Sequence, residues 1–204
     1  MKLRLNFFPA QSNQVLLWSR NAFLILGAIT LSYVGYALLD ARLHQANQAR
    51  QFDQALKGAN IARGHSQGGA VREGAALGRI EISKIGLSVM ILEGTSDQTL
   101  QRAVGHIEGT SLPGQSGNVA VAGHRDTFFR GLRTIRLGDE ITLTTLRGSH
   151  RYLVDLTKVV APEEMDVLDA VAEDILTLVT CYPFNFVGSA PQRFIVRARR
   201  IPAY

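Results

Sequence analysis

Residues 22–39, AFLILGAITLSYVGYALL, run for eighteen positions without a charge. No other stretch limits the fold so severely. In a hydrocarbon layer each backbone N–H and C=O must find its partner inside the segment, which leaves a helix as the single-pass solution. At ~1.5 Å per residue the run reaches about 27 Å, close to the hydrocarbon thickness of a bilayer. Upstream, Val15-Leu16-Leu17-Trp18 extends the apolar pattern, and Trp18 and Arg20 are placed to meet headgroups. A buried core helix is the alternative within a globular fold. A cleaved signal peptide has a shorter apolar region, about 7–15 residues, ending at a small-residue site. This run ends in Tyr36-Ala37-Leu38-Leu39-Asp40, a poor cleavage site. The expectation is an uncleaved anchor over residues 21–39, behind a flank over residues 1–20. Lys2, Arg4 and Arg20 precede the span, whereas Asp40 and Arg42 follow it. The positive-inside rule then keeps the N-terminus cytoplasmic and puts the remainder outside, in the cell envelope.

Those three N-terminal cations also explain the charge of the chain. Its 204 residues carry a net +5, but without Lys2, Arg4 and Arg20 the balance is 19 basic residues against 17 acidic. A nucleic-acid partner is therefore not expected, although lipid is. With 46% hydrophobic and 19% charged residues, the chain is not a disordered charged tail. A single cysteine rules out an intrachain disulfide and a CxxC metal cluster. Residues 42–57 are polar and rich in Ala and Gln, suited to continue a helix above the membrane. Residues 58–78 then contain Gly58, Gly64, Gly68, Gly69, Gly74 and Gly78, a density that favours a spacer. A juxtamembrane helix and glycine-rich linker thus occupy residues 40–77, and the folded unit residues 78–204.

Short β-like runs dominate that unit, at residues 77–82, 87–93, 118–123, 140–146, 151–160, 175–180 and 193–199. One short helix is expected over residues 97–104, with Ser96 as N-cap and Gly105 as its stop. Pro113-Gly114 and Gly138-Asp139 mark turns. Many short strands with few helices describe a small closed or half-closed barrel.

Cys181 follows the strand-like run 174–180, and Tyr182-Pro183 must end that strand, which puts the thiol at an exposed strand end. A lone cysteine is more often a small buried hydrophobe. An unpaired thiol outside the cytoplasm is an oxidation liability, however, so its presence wants a reason. A nucleophilic thiol needs a partner that favours thiolate and returns a proton to the leaving group. Of five histidines, His44 and His65 fall in the juxtamembrane and linker segments and His150 in what reads as a surface turn. His124 ends the run 118–123, whose Gly123 permits close backbone approach, and is the better partner. His106, after Gly105, can line the same cleft. Asp126 can orient the imidazole or cap a turn. Arg193 opens the last strand twelve residues past Cys181, a spacing that fits a loop and an adjacent antiparallel strand. It can then supply a fixed donor to an oxyanion. Arg197, four residues and about 13 Å further along, is too far to replace it. The acids Glu163, Glu164, Asp166, Asp169, Glu173 and Asp174 read as a solvated loop face. Calcium is the alternative there, although their spacing matches no known loop.

With Cys181, His124 and Arg193 assembled, the sequence resembles the sortases, membrane-anchored cysteine transpeptidases. Thr177-Leu178-Val179-Thr180-Cys181 resembles the family's TLxTC motif, and Ala122-Gly123-His124-Arg125-Asp126-Thr127 the segment bearing its histidine. Gln192-Arg193-Phe194-Ile195-Val196 matches its arginine, and Cys181-Tyr182-Pro183-Phe184 looks most like the class D branch. The resemblance implies an eight-stranded closed β-barrel with one or two short helices behind a single N-terminal transmembrane helix. It implies a nucleophile at Cys181, a general acid/base at His124 and an oxyanion donor at Arg193, with Thr180, His106 and Asp126 as candidates on the substrate side. Substrates would be secreted proteins bearing an LPxTG-like signal, and the acceptor amine a cell-wall precursor or pilin lysine. No metal or organic cofactor is needed. A thiolate beside imidazolium and guanidinium is electrostatically favoured, which agrees with this division of labour. An L,D-transpeptidase would carry an SxGCxR-like cluster, absent around Cys181, and a non-catalytic membrane-tethered scaffold on the same fold is the remaining alternative.

Overall fold

A computed structural model describes residues 14, 16–36 and 71–202. The expected flank over residues 1–20 and linker over 40–77 lie largely outside the described residues, as do residues 37–39, His44 and His65. Two compact units are distinguished, residues 1–40 and 41–204.

The first contains helix α1, Leu16–Tyr36, 21 residues with none buried and long and apolar enough to cross a membrane. It starts upstream of the uncharged run and takes in Trp18 and Arg20. Two of its hydroxyls bond to its own backbone: Ser19 Oγ donates to Leu16 O at 3.0 Å and Thr30 Oγ1 to Leu26 O at 2.9 Å. Both polar groups are thereby satisfied without water.

The second unit holds eight strands: β1 Ala76–Ile82, β2 Leu87–Glu93, β3 Val104–His106, β4 Asn118–Ala122, β5 Glu140–Thr145, β6 Gly148–Val160, β7 Ile175–Tyr182 and β8 Gln192–Ile201. They close a barrel in the order β1-β2-β3-β4-β7-β8-β6-β5. Two ladders are parallel, β2 with β3 and β4 with β7, and the others antiparallel. Strict alternation builds the interior. Ile80 and Ile82, Val119 and Val121, Ile141 and Leu143, Leu176 and Leu178, and Val196 and Ala198 all belong to one buried cluster.

A 3-10 helix over Phe128–Thr134 joins that cluster, though no strand or helix was expected there. With three residues per turn, positions i and i+3 share a face. Phe129, Leu132 and Ile135 accordingly point inward, whereas Arg130, Arg133 and Arg136 are exposed. A period of three matches neither the α-helical nor the β pattern, so a search for those two passes over it.

The short helix α2 spans Asp97–Arg102, and Ser96 caps it by accepting from Thr99 N at 3.3 Å. It ends two residues earlier than expected, and Gly105 is not its stop. Ala103 is already extended and Gly105 lies inside β3, where a Cβ would overlap the Gly94 carbonyl oxygen. The glycine serves close strand packing rather than a helix terminus.

His150 also departs from expectation. The β5–β6 turn is only Leu146-Arg147, so the strand resumes at Gly148 and His150 lies within β6, opposite Leu143. Its Nε2 is buried without a hydrogen-bond partner among the described residues. Burial, and then the nearby Arg200 cation, hold the imidazole below the ordinary 6.5, with Asp174 opposing.

Two measurements follow from this packing. Phe129→Ala removes a fully buried ring, and denaturant unfolding is expected to show a loss of about 3–5 kcal/mol. Unfolding also releases His150 to take up a proton between its folded and unfolded pKa values. Stability present at neutral pH is therefore lost as pH falls below about 6.5. His150→Leu should flatten the melting temperature against pH over that window, and an unchanged slope would show that His150 does not contribute.

Candidate active site

Parallel pairing of β4 with β7 brings the C-terminal ends of both strands to one rim. Ala122 is level with Val179, and Gly123 N donates to Val179 O at 3.1 Å. The ladder ends there: His124 lies two residues past the end of β4, and Cys181 two residues further along β7. On the other side β8 runs antiparallel, and Cys181 directly faces Arg193. Cys181 and Arg193 thus form a row across β7 and β8, and His124 stands just past the end of the neighbouring β4.

The alternation of β7 decides which of its side chains reach the row. Leu176 and Leu178 belong to the barrel interior, so Ile175, Thr177, Val179 and Cys181 share the opposite face. β7 ends at Tyr182, before the proline that cannot continue the ladder, and Cys181 is partly exposed. Beneath this end, Tyr182 stacks on Phe194 with centroids 6.2 Å apart, and Phe184 meets Phe194 edge-on at 5.4 Å. Neither the Cys181 thiol nor the His124 ring has a hydrogen-bond partner among the described residues. Arg193 Nη1 donates to Ala190 O at 3.2 Å and to Gln192 O at 3.0 Å. Its Nε and Nη2 have no partner among the described residues. Arg197 is held elsewhere, in a two-point bond to Asp155 at 3.0 Å on each side. Asp155 occupies a bulge in β6 and also accepts from Arg199 at 2.6 Å. Burial pushes its carboxyl up, but the two arginines outweigh that and hold it below the usual range.

Of the three residues expected on the substrate side, His106 and Thr180 are buried. His106 is 2% exposed. Its Nδ1 is 3.0 Å from Glu93 Oε2, and its Nε2 is 3.0 Å from Ser111 O and 3.1 Å from Thr110 Oγ1. With both ring nitrogens engaged, it ties β2, β3 and the following loop together rather than lining the cleft. Thr180 is 2% exposed, and its hydroxyl donates to Gly123 O at 2.7 Å, so it holds the backbone beside His124. Asp126 is exposed in the turn after His124 and has no hydrogen-bond partner among the described residues.

A second polar tie was not anticipated. Thr177 Oγ1 donates to Asn118 Oδ1 at 2.7 Å, and Asn118 Nδ2 donates to Val167 O at 3.1 Å and Asp169 O at 3.2 Å. Asn118 and Thr177 thereby fasten the 161–174 connection over the outer face of β4 and β7. Under this roof lies a pocket of about 200 Å³ whose lining includes Leu156, Val167, Val171, Ile175 and Ile195. The available signal was a polar residue, Asn118 or Thr177, inside a largely apolar run, which a buried setting obliges to find a partner. Three of the six acids of the connection are paired: Glu164 with Lys158 at 3.1 Å, Glu173 with Arg199 at 2.9 Å and Asp174 with Arg200 at 3.0 Å. Among the described residues no three His, Cys, Asp or Glu side chains are grouped to hold a metal ion.

Comparison with known proteins agrees with this architecture. The sortase domain family model matches residues 80–201. Sortase D of Bacillus subtilis (strain 168) is 31% identical over 185 residues, covering 86% of this chain and 93% of that protein. Among solved structures, a sortase D5 transpeptidase of Clostridium perfringens superposes with a TM-score of 0.63 at 29% identity. That match covers 79% of this chain and 98% of the other. Sortase C-1 of Actinomyces oris superposes with a TM-score of 0.59 at 27% identity, covering 76% and 99%. A closed eight-stranded barrel, a TLxTC-like strand end and a family match over most of the folded unit converge on one conclusion: the chain belongs to the sortase family and is a cysteine transpeptidase.

Proposed function

We propose that this transpeptidase is anchored by α1, with the barrel outside the membrane, and acts on secreted proteins bearing an LPxTG-like sorting signal. The observation that supports this reading is the pairing of Cys181 with Arg193 on β7 and β8, with His124 just past the end of the adjacent β4. The Cys181 thiolate attacks the carbonyl carbon of the signal's threonine. Negative charge gathers on that oxygen, where the unpartnered N–H groups of Arg193 can meet it. As the peptide C–N bond breaks, the departing amine takes a proton from His124, and the acyl group remains on sulfur as a thioester. An incoming amine, from a cell-wall precursor or a pilin lysine, gives a proton to His124 and attacks the thioester. A new amide forms and Cys181 leaves as thiolate, so thiol and imidazole return to their starting states.

The face of β4 and β7 beneath the 161–174 connection suits the upstream part of such a signal. An extended peptide advances about 3.3 Å per residue, so a side chain a few residues before the cleaved bond reaches the pocket near Ile175 and Ile195, where apolar side chains alternate with polar and charged ones. Arg197 and Lys158 border that pocket, and Asp155 and Glu164 respectively pair with them.

The test is to incubate the full chain with LPxTG-type peptides and a small amine, following acyl-enzyme and amide product by mass spectrometry. Cys181→Ala is expected to abolish both species, and Arg193→Ala to lower kcat by roughly 10²–10³-fold. Asp126→Ala should stay within about twofold, as an exposed group without a partner predicts. Absence of adduct from a folded wild-type chain across a broad peptide set would sink this reading of the signal.

A further inference from the structure

Arg125, immediately after His124, reaches 61–63 residues along the chain. Its Nη2 donates to Phe186 O at 2.8 Å and to Gly188 O at 2.9 Å, and its guanidinium carbon is 6.0 Å from the centre of the Phe186 ring. Both carbonyls belong to the 183–191 connection between β7 and β8. The tip of that connection is apolar and open to solvent, with Phe186 45% and Val187 95% exposed. The backbone hydrogen bond described within it is the turn from Phe186 N to Pro183 O at 3.3 Å. Phe184 packs on Phe194 at one end and Ala190 O accepts from Arg193 at the other, so the tip between them has little of its own to hold it in place.

The attachments on either side of His124 form a bracket. Before it, Gly123 N donates to Val179 O and Gly123 O accepts from Thr180 Oγ1, which ties the histidine's backbone to β7 just ahead of Cys181. After it, Arg125 ties the same backbone to the connection just beyond Cys181. We propose that Arg125 is a positioning residue that locks the 183–191 connection to the His124 turn, so that the backbone flanking the imidazole and the backbone flanking the thiol move as one body. Hydrogen bonds from a charged donor are about twice as strong as neutral ones, which suits a single side chain to this task. A lysine at this position keeps the charge but loses the planar fork.

The proposal rests on the roles given above to His124 and Cys181, and hydrogen exchange tests it without requiring turnover. In the full chain, Arg125→Met is expected to speed exchange of the 183–191 amides about tenfold while barrel amides keep their protection, the order expected for losing charge-assisted bonds. In the same variant kcat for peptide should fall about tenfold with KM held within about threefold, because the β4–β7 face that receives the upstream signal is untouched. Arg125→Lys should recover part of both effects. Unchanged exchange in the connection, or unchanged kcat, overturns the proposal. A lowered melting temperature with faster exchange throughout the barrel also overturns it, since Arg125 would then be a general stabiliser. A wild-type chain without transpeptidation would count against the proposed function and leave the exchange result to be judged separately.

Discussion

The register of β7 is the constraint on which the site depends. β7 is held between a parallel neighbour, β4, and an antiparallel one, β8, and its side chains alternate between barrel interior and outer face. Because the side-chain period of a strand is two, a slip of one residue would turn Cys181 inward and expose Leu176 and Leu178. Those two leucines are 0% exposed, so the hydrophobic cost of the slip falls on the core and protects the position of the thiol. The energy that orients Cys181 is therefore supplied by residues that take no part in chemistry.

Buried polar groups complete what apolar packing leaves open. Thr180 faces the interior and bonds Gly123 O; Thr177 and Asn118 hold the roof of the pocket; Glu93 and His106 join β2 to β3. Hydrophobic contact is non-directional and permits small shifts, whereas a desolvated hydroxyl or imidazole tolerates few geometries. The Thr180 bond bears on the backbone beside His124, and the others hold the 161–174 connection and the β2–β3 edge, where alternation alone does not determine position. A TLxTC-like segment then serves two ends at once: its threonines organise β4 and the roof while its cysteine faces Arg193.

The legibility of the sequence followed the physics of each element. Strands with an alternating apolar face, such as 76–82 and 140–145, were readable because burial of one face dictates their pattern. The three-residue β3 was not, since Val104-Gly105-His106 is too short to show a period and its glycine resembles a helix stop. The 3-10 helix Phe128–Thr134 escaped for a related reason, its period of three lying between the two usually sought. His106 shows the limit for polar residues. A histidine beside a strand end reads as a cleft residue until Glu93 is found beside it, and that meeting depends on parallel pairing between strands separated by a helix.

Sequence by itself determined that a long apolar helix precedes a β domain, that one thiol stands before a strand-ending proline, and that a histidine and an arginine follow glycine and loop signals at usable spacings. These are local properties, set by composition, period and the chemistry of single residues. Tertiary structure alone decided which side chains meet. The chain leaving β4 toward His124 emerges beside the end of β7 that carries Cys181 because β4 and β7 pair in parallel, and Thr180 bonds Gly123 O because β7 faces it inward. Arg125 reaches the loop beyond Cys181 for the same reason. Partners about sixty residues apart are joined by closure of the barrel, and closure is a property of the whole core that no local pattern contains.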